Sequence, residues 1–257
     1  MADIAVVTGA ASGMGLLAAE RLTAAGWQVV AVDLPGERLD GLAGRPGITL
    51  QPCDVADHAQ VDSAAGVILR QFGHVDRLVN AAGIAVSGRI EDVPAQRFAQ
   101  VMNVNYLGTV HWVQTLLPGM RARNCGELVL FASLAGWMPT PTMAAYTATK
   151  FAVLAFAETL AMELHRTGIS VRCVCPPAVQ TPMLDDIFAQ GIPDGLGKLS
   201  RPLTAAKVLD AVDASLRRRR RAIYVFPDLS SKVAWRVRRF TPVSLGAVLQ
   251  RLVGTAD

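Results

Sequence analysis

Tyr146 and Lys150 stand four residues apart in Tyr-Thr-Ala-Thr-Lys, and that spacing carries chemistry. In a helix both side chains share one face, a turn apart. A free phenol titrates near pH ~10, so it is a poor base at neutral pH. A nearby ammonium favours phenolate and lowers that value. Bringing it to about 7 takes roughly 4 kcal/mol, which a desolvated site with more than one cation can supply. Tyr-x-x-x-Lys is common by chance. Two further features raise its weight: a hydroxyl at Ser133, ending an apolar strand-like run, and a nucleotide-binding signature at the N-terminus.

That signature begins with Ile4 to Thr8, which reads as a buried strand. Gly9-Ala10-Ala11-Ser12-Gly13-Met14-Gly15 follows, then an Ala/Leu-rich helix closing near Gly26. Val29 to Val32 is a second buried strand, ending in Asp33 and Leu34. Strand, glycine turn, helix, strand, acid is the order of a dinucleotide-binding half. The glycines allow a tight turn and let backbone N–H groups approach a pyrophosphate at the helix N-terminus. A carboxylate at Asp33 can accept from both ribose hydroxyls and would repel a 2′-phosphate. No Arg or Lys sits within the turn, and Arg38 is expected on a loop, so NAD is expected over NADP.

The elements that must position these groups alternate along the rest of the chain. Strands are expected at Ile48 to Leu50, Leu78-Val79 running into a small-residue turn at Asn80 to Gly83, Glu127 to Ser133, Ile169 to Val174 and Ala222 to Phe226. Helices are expected at His58 to Phe72 with Asp57 as N-cap, Ala95 to Leu117, Ala144 to His165 and Thr204 to Leu216. Asn105 falls inside the long second helix among Val101, Val104 and Leu107, where a buried polar role is at least as well supported as a surface one. The pattern predicts an α/β fold, a doubly wound parallel sheet of about seven strands. Residues 177–202, rich in Pro, Gly, Met and Leu with little periodicity, read as a substrate lid.

With 257 residues, half of them hydrophobic, one large domain over 1–227 is the simplest count, with 228–257 as an extension. No apolar run reaches a membrane span and no basic leader opens the chain, so a cytoplasmic protein is expected. Four scattered cysteines make neither a disulfide framework nor a metal set; no metal is expected.

Taken together, these motifs resemble the short-chain dehydrogenase/reductase family. The resemblance spans residues 4 to about 226 and rests on Thr8 to Gly15, Asp54-Val55, Asn80-Ala81-Ala82-Gly83, Asn105, Ser133, Tyr146-x-x-x-Lys150 and Pro176 to Met183. It implies a Rossmann fold and homodimers or homotetramers. It makes Tyr146 the general acid/base and Ser133 the group holding the substrate oxygen. Lys150 would lower the phenol pKa and bind the nicotinamide ribose, and Asn105 would position a water linking Lys150 to solvent. Gly9, Ser12, Gly13, Met14 and Gly15 would hold the pyrophosphate; Asp54 and Val55 would border the adenine; Asn80, Ala81, Ala82 and Gly83 would line the cleft. Pro176, Val179 and Thr181 would lie by the nicotinamide. Pro176-Pro177 departs from the family's Pro-Gly, and Ala81 from its second Asn. Proline fixes φ and lacks an N–H, so a shifted loop path is expected there.

The expected substrate wall is apolar: Trp137, Met138, Pro139, Met143, Val179, Met183, Leu184, Ile187 and Phe188. A small hydrophobic alcohol or ketone is expected, with no arginine placed to clamp an anion. Charge is segregated: residues 217–257 carry 10 basic and 2 acidic side chains, whereas the preceding residues are net acidic. Arg217 to Arg221 is followed by Lys232, Arg236 and Arg239 interleaved with Val233, Val237 and Phe240, and Leu245, Val248, Leu249 and Leu252 continue the apolar stripe. Three readings stay open: packing on its own domain or a sister subunit, peripheral attachment to anionic membrane, and nucleic-acid binding. The last is weakest and not expected, since no recognition module is present.

Overall fold

A computed structural model describes residues 2–190, 201–218 and 222–241. Seven parallel strands form one sheet: β1 (Ile4–Thr8), β2 (Gln28–Asp33), β3 (Ile48–Pro52), β4 (Arg77–Asn80), β5 (Gly126–Phe131), β6 (Ile169–Val174) and β7 (Tyr224–Val225). Their order across the sheet is β3-β2-β1-β4-β5-β6-β7. The strands are near-continuous apolar runs because both sheet faces are covered. Alternate residues feed two cores. Ile4, Val6, Val30 and Val32 pack toward α3 (His58–Phe72), α5 (Gly108–Arg123) and α6 (Ala144–Glu163). Ala5, Val7, Val29 and Ala31 pack toward α1 (Gly13–Ala24), the short α2 (Glu37–Asp40) and α8 (Ala205–Leu216). This is the period-two geometry of a strand. The chain reverses direction of growth between β1 and β4, which opens a crevice at the carboxyl ends of those strands.

Several expectations need correction. Arg38 lies in α2, not on a loop. The helix expected over Ala95 to Leu117 is α4 (Ala95–Met102), a π-helical turn (Asn103–Leu107), and then α5. Apolar spacing does not separate these, because one five-residue π turn is too short to stand out from the flanking helical pattern. The strand expected to reach Ser133 ends at Phe131, and β7 is shorter than Ala222 to Phe226. Within 177–202 the chain forms α7 (Pro182–Ala189), with Pro182 at its first position, where the missing N–H costs nothing. Residues 191–200, 219–221 and 242–257 lie outside the described residues, and with them part of the arginine run and the stripe from Leu245 to Leu252.

Candidate active site

Ser133 sits two residues beyond β5 in extended backbone, and its hydroxyl accepts from the Ala135 N–H at 3.1 Å. The Pro176 carbonyl, two residues beyond β6, accepts from the Leu134 N–H at 2.8 Å and from the Ser133 hydroxyl at 3.4 Å. The 3₁₀ turn Leu134–Gly136 lies hard against α6: a Cβ at Gly136 would stand 2.7 Å from the Lys150 carbonyl oxygen. This contact places Ser133 within hydrogen-bonding reach of the Tyr146 phenol, in the first turn of α6. One turn on, the Lys150 Nζ lies 5.5 Å from the Tyr146 ring centroid and donates to the Phe131 carbonyl at 2.8 Å. The last carbonyl of β5 therefore anchors the amine.

Asn105 is buried in the π turn. Its Oδ1 accepts from the Ile84 N–H at 2.8 Å, and its Nδ2 donates to the Ile84 carbonyl at 2.9 Å and the Thr149 hydroxyl at 3.0 Å. The side chain thus clamps the segment after β4 to the helix carrying Tyr146 and Lys150. A Cβ at Gly83 would meet Asn105 Oδ1 at 3.2 Å and Lys150 Nζ at 3.8 Å, so glycine keeps that approach open. Asn80 lies beneath the cleft rather than in its wall. It accepts from the Thr8 hydroxyl at 3.2 Å and donates to the Thr109 hydroxyl at 2.8 Å, and Thr109 in turn donates to the Asn105 carbonyl at 2.7 Å. Thr8 was read only as the start of the glycine motif, and Thr109 and Thr149 were given no role from sequence. The available signal was a threonine ending an otherwise apolar strand, since buried hydroxyls need partners.

Burial dominates the ionisation of the pair. Desolvation pushes the Tyr146 phenol up to about 12, against the downward pull of its hydrogen bond with Ser133. Desolvation likewise brings Lys150 down to about 8, opposed by the nearby Cys173 and Cys175. The expected acidified phenol is therefore not a property of these residues by themselves. At neutral pH Tyr146 holds its proton and is set as an acid. A positive charge brought within a few ångströms would pull the phenol back down.

The other end of the crevice is built by backbone. A cleft of ≈ 270 Å³ is lined by Gly9, Ser12, Gly13, Met14, Gly15, Asp33, Leu34, Asp54, Val55, Ala81, Ala82, Gly83, Thr181 and Met183, as expected, and by Cys53, Ile84, Gln100, Val104 and Pro182, which were not. Gly9 has φ +67°, and a Cβ there would stand 2.8 Å from the Ala82 N. A Cβ at Gly15 would fall 2.1 Å from the Gly9 carbonyl oxygen. Ser12 and Thr181, the N-caps of α1 and α7, make no side-chain cap bond, and Gly13 approaches Thr181 closely. Two uncapped helix N-termini meet in one cleft, which suits a diphosphate. Asp33 accepts from the Ala11 N–H and the Leu34 N–H, both at 2.8 Å, which fixes its carboxylate at the cleft rim. The residues present fit a dinucleotide.

The expected substrate wall divides. Met183 lines the cleft; Met143 is buried at the N-cap of α6; Leu184 and Ile187 lie on α7, and Phe188 is exposed there. Gln190, ending α7, accepts from the Ser87 N–H at 2.9 Å and holds that helix over the crevice. Trp137 instead packs edge-on against Tyr224 at 5.1 Å and Trp235 at 5.8 Å. Val179 pairs with Leu203 rather than lining the cleft.

The chain belongs to the short-chain dehydrogenase/reductase family, a family of oxidoreductases: the family profile described as "short chain dehydrogenase" matches residues 3–191. It is 35% identical over 231 residues to 2-(R)-hydroxypropyl-CoM dehydrogenase of Xanthobacter autotrophicus, covering 82% of this chain and 90% of the relative. Among solved structures it is similar to a short-chain dehydrogenase/reductase from Burkholderia phymatum in complex with NAD, at TM-score 0.81 and 27% identity, covering 95% of each chain. It is also similar to the closed form of a serine dehydrogenase complexed with NADP+, at TM-score 0.79 and 26% identity, covering 87% of this chain and 93% of that one.

Proposed function

We propose that the protein interconverts a hydrophobic secondary alcohol and its ketone with NAD(H), Tyr146 carrying the proton. The observation behind this is the convergence of the Ser133 hydroxyl, the Tyr146 phenol and the Lys150 amine at the carboxyl edge of β5, beside a cleft floored by glycines. Bound nicotinamide supplies or accepts the hydride. Ser133 and Tyr146 hold the substrate oxygen between two hydroxyls. Tyr146, protonated at neutral pH, gives its proton to a carbonyl oxygen or, once a positive charge lowers its pKa, takes one from an alcohol. Lys150, tied to Phe131, keeps a cation beside the ring and within reach of ribose hydroxyls. The preference for NAD rests on Asp33: its carboxylate stands where a 2′-phosphate would meet like charge. The relative named for a 2-hydroxypropyl substrate supports the secondary-alcohol part of this reading.

The catalytic unit is assigned to residues 1–227, with α7 over the substrate. The outward face of α6, with Phe151 and Met162 exposed, takes a second copy of the chain. The decisive assay is a panel of hydrophobic alcohols with NAD and with NADP, followed at the reduced-nicotinamide absorbance. Tyr146→Phe should lower turnover by roughly a thousandfold while NADH binding persists. Retained turnover would refute the assignment of Tyr146, and preference for NADP would refute that of Asp33.

A further inference from the structure

The basic tail, left unexplained by the catalytic reading, forms α9 (Leu229–Phe240), capped by Asp228, whose carboxylate accepts from the Ser231 N–H at 3.3 Å. The helix has two different sides. Inward, Ser231 is buried, and Trp235 packs on Phe226, Tyr224 and Trp137 with ring centroids 5.4 to 5.8 Å away. Outward, Leu229, Val233, Val237 and Phe240 recur at spacings of four, four and three, so they form one stripe. They are exposed by 74%, 49%, 42% and 79%, an apolar ridge given to solvent. Each of Lys232, Arg236 and Arg239 precedes a stripe residue by one, so the cations line one flank of that ridge. The helix contains no acidic residue, and none of its cations ion-pairs with an acid among the described residues.

We infer that the outer face of α9 is a membrane-contact surface selective for anionic lipid. An apolar stripe beside a basic flank on a helix of low overall hydrophobicity is the composition of a helix that lies in the bilayer interface. At 12 residues α9 is too short to span, and no described helix is long and apolar enough to cross a membrane. A twofold contact between two copies of this face would set cations against cations, which disfavours self-association as the stripe's purpose. The inward contact gives the surface a fixed placement. Trp235 meets Trp137, four residues beyond Ser133, so a membrane bound to α9 lies on the side of the molecule where the Ser133 loop emerges. This inference does not depend on the identity of the substrate or on turnover.

The test is co-sedimentation of the full chain with vesicles of phosphatidylcholine alone, and of two parts phosphatidylcholine to one part phosphatidylglycerol. With each exposed cation worth about fivefold in partitioning, three of them should favour the anionic vesicle by roughly a hundredfold, a preference that added salt erodes. Val233→Asp with Val237→Asp should abolish sedimentation. So should Lys232→Glu with Arg236→Glu, with unchanged melting by circular dichroism and unchanged NADH binding in both, because all four side chains are exposed. Equal binding to both vesicles, no binding to either, or binding that survives both double variants would overturn the inference. So would a dimer that dissociates in the same variants while vesicles are ignored.

Discussion

At the scale of single residues, the reacting groups were legible from type and spacing, but their ionisation was not. Tyr146, Lys150 and Ser133 stand in the sequence at the intervals a helix and a strand end require, and the fold brings them together. The pKa of the phenol depends instead on its burial and on Ser133, which comes from the loop after β5. Desolvation wins over the hydrogen bond with Ser133, which puts Tyr146 at about 12. A consequence is measurable without substrate. In an ultraviolet titration of the free protein, subtracting the Tyr146→Phe variant isolates one phenol, which should stay protonated through neutral pH and ionise only near pH 12. Phenolate appearing near neutrality in the free protein would contradict the burial argument. Lys150, brought to about 8, should carry its charge below that pH and lose it above, so any step that needs the ammonium weakens as pH rises through about 8.

At the scale of elements, the regular strands and helices were readable because their apolar periods are strong. The caps were readable too where a side chain does the work, as Asp57 does for α3. The π turn was hidden, since a single turn wound i→i+5 inside an α-helix leaves no mark in composition. Asn105 gives its position away only through burial. Replacing Asn105 by Ala strips the Ile84 N–H and carbonyl of their partner and frees the Thr149 hydroxyl. Leaving the part-buried Ile84 groups unpaired should destabilise the protein by about 2–4 kcal/mol, read as a lower melting midpoint in denaturant at unchanged slope. A change under about 0.5 kcal/mol would mean that the clamp is unimportant. Helix α7 was missed within a stretch that looked irregular, although Thr181, Pro182 and Asp185 are the residues expected at a helix start.

At the scale of the whole molecule, the doubly wound sheet followed from alternating strand and helix signals, and the structure bears it out. What alternation could not show is which outer faces remain uncovered. Phe151 and Met162 on α6 are exposed, and a second copy seated there predicts that Phe151→Asp shifts the protein to a smaller species in analytical ultracentrifugation. An unchanged sedimentation coefficient would dismiss that contact. The strand order has a further effect during synthesis. β1 is flanked by β2 and β4, so on the ribosome one side of a largely apolar strand waits unpaired until residues 77–80 emerge. β4 then waits in turn for β5, and β5 for β6. A nascent chain of this design carries a sticky unfinished border at each stage, and growth on that side stops only at the two-residue β7, too short to recruit another strand.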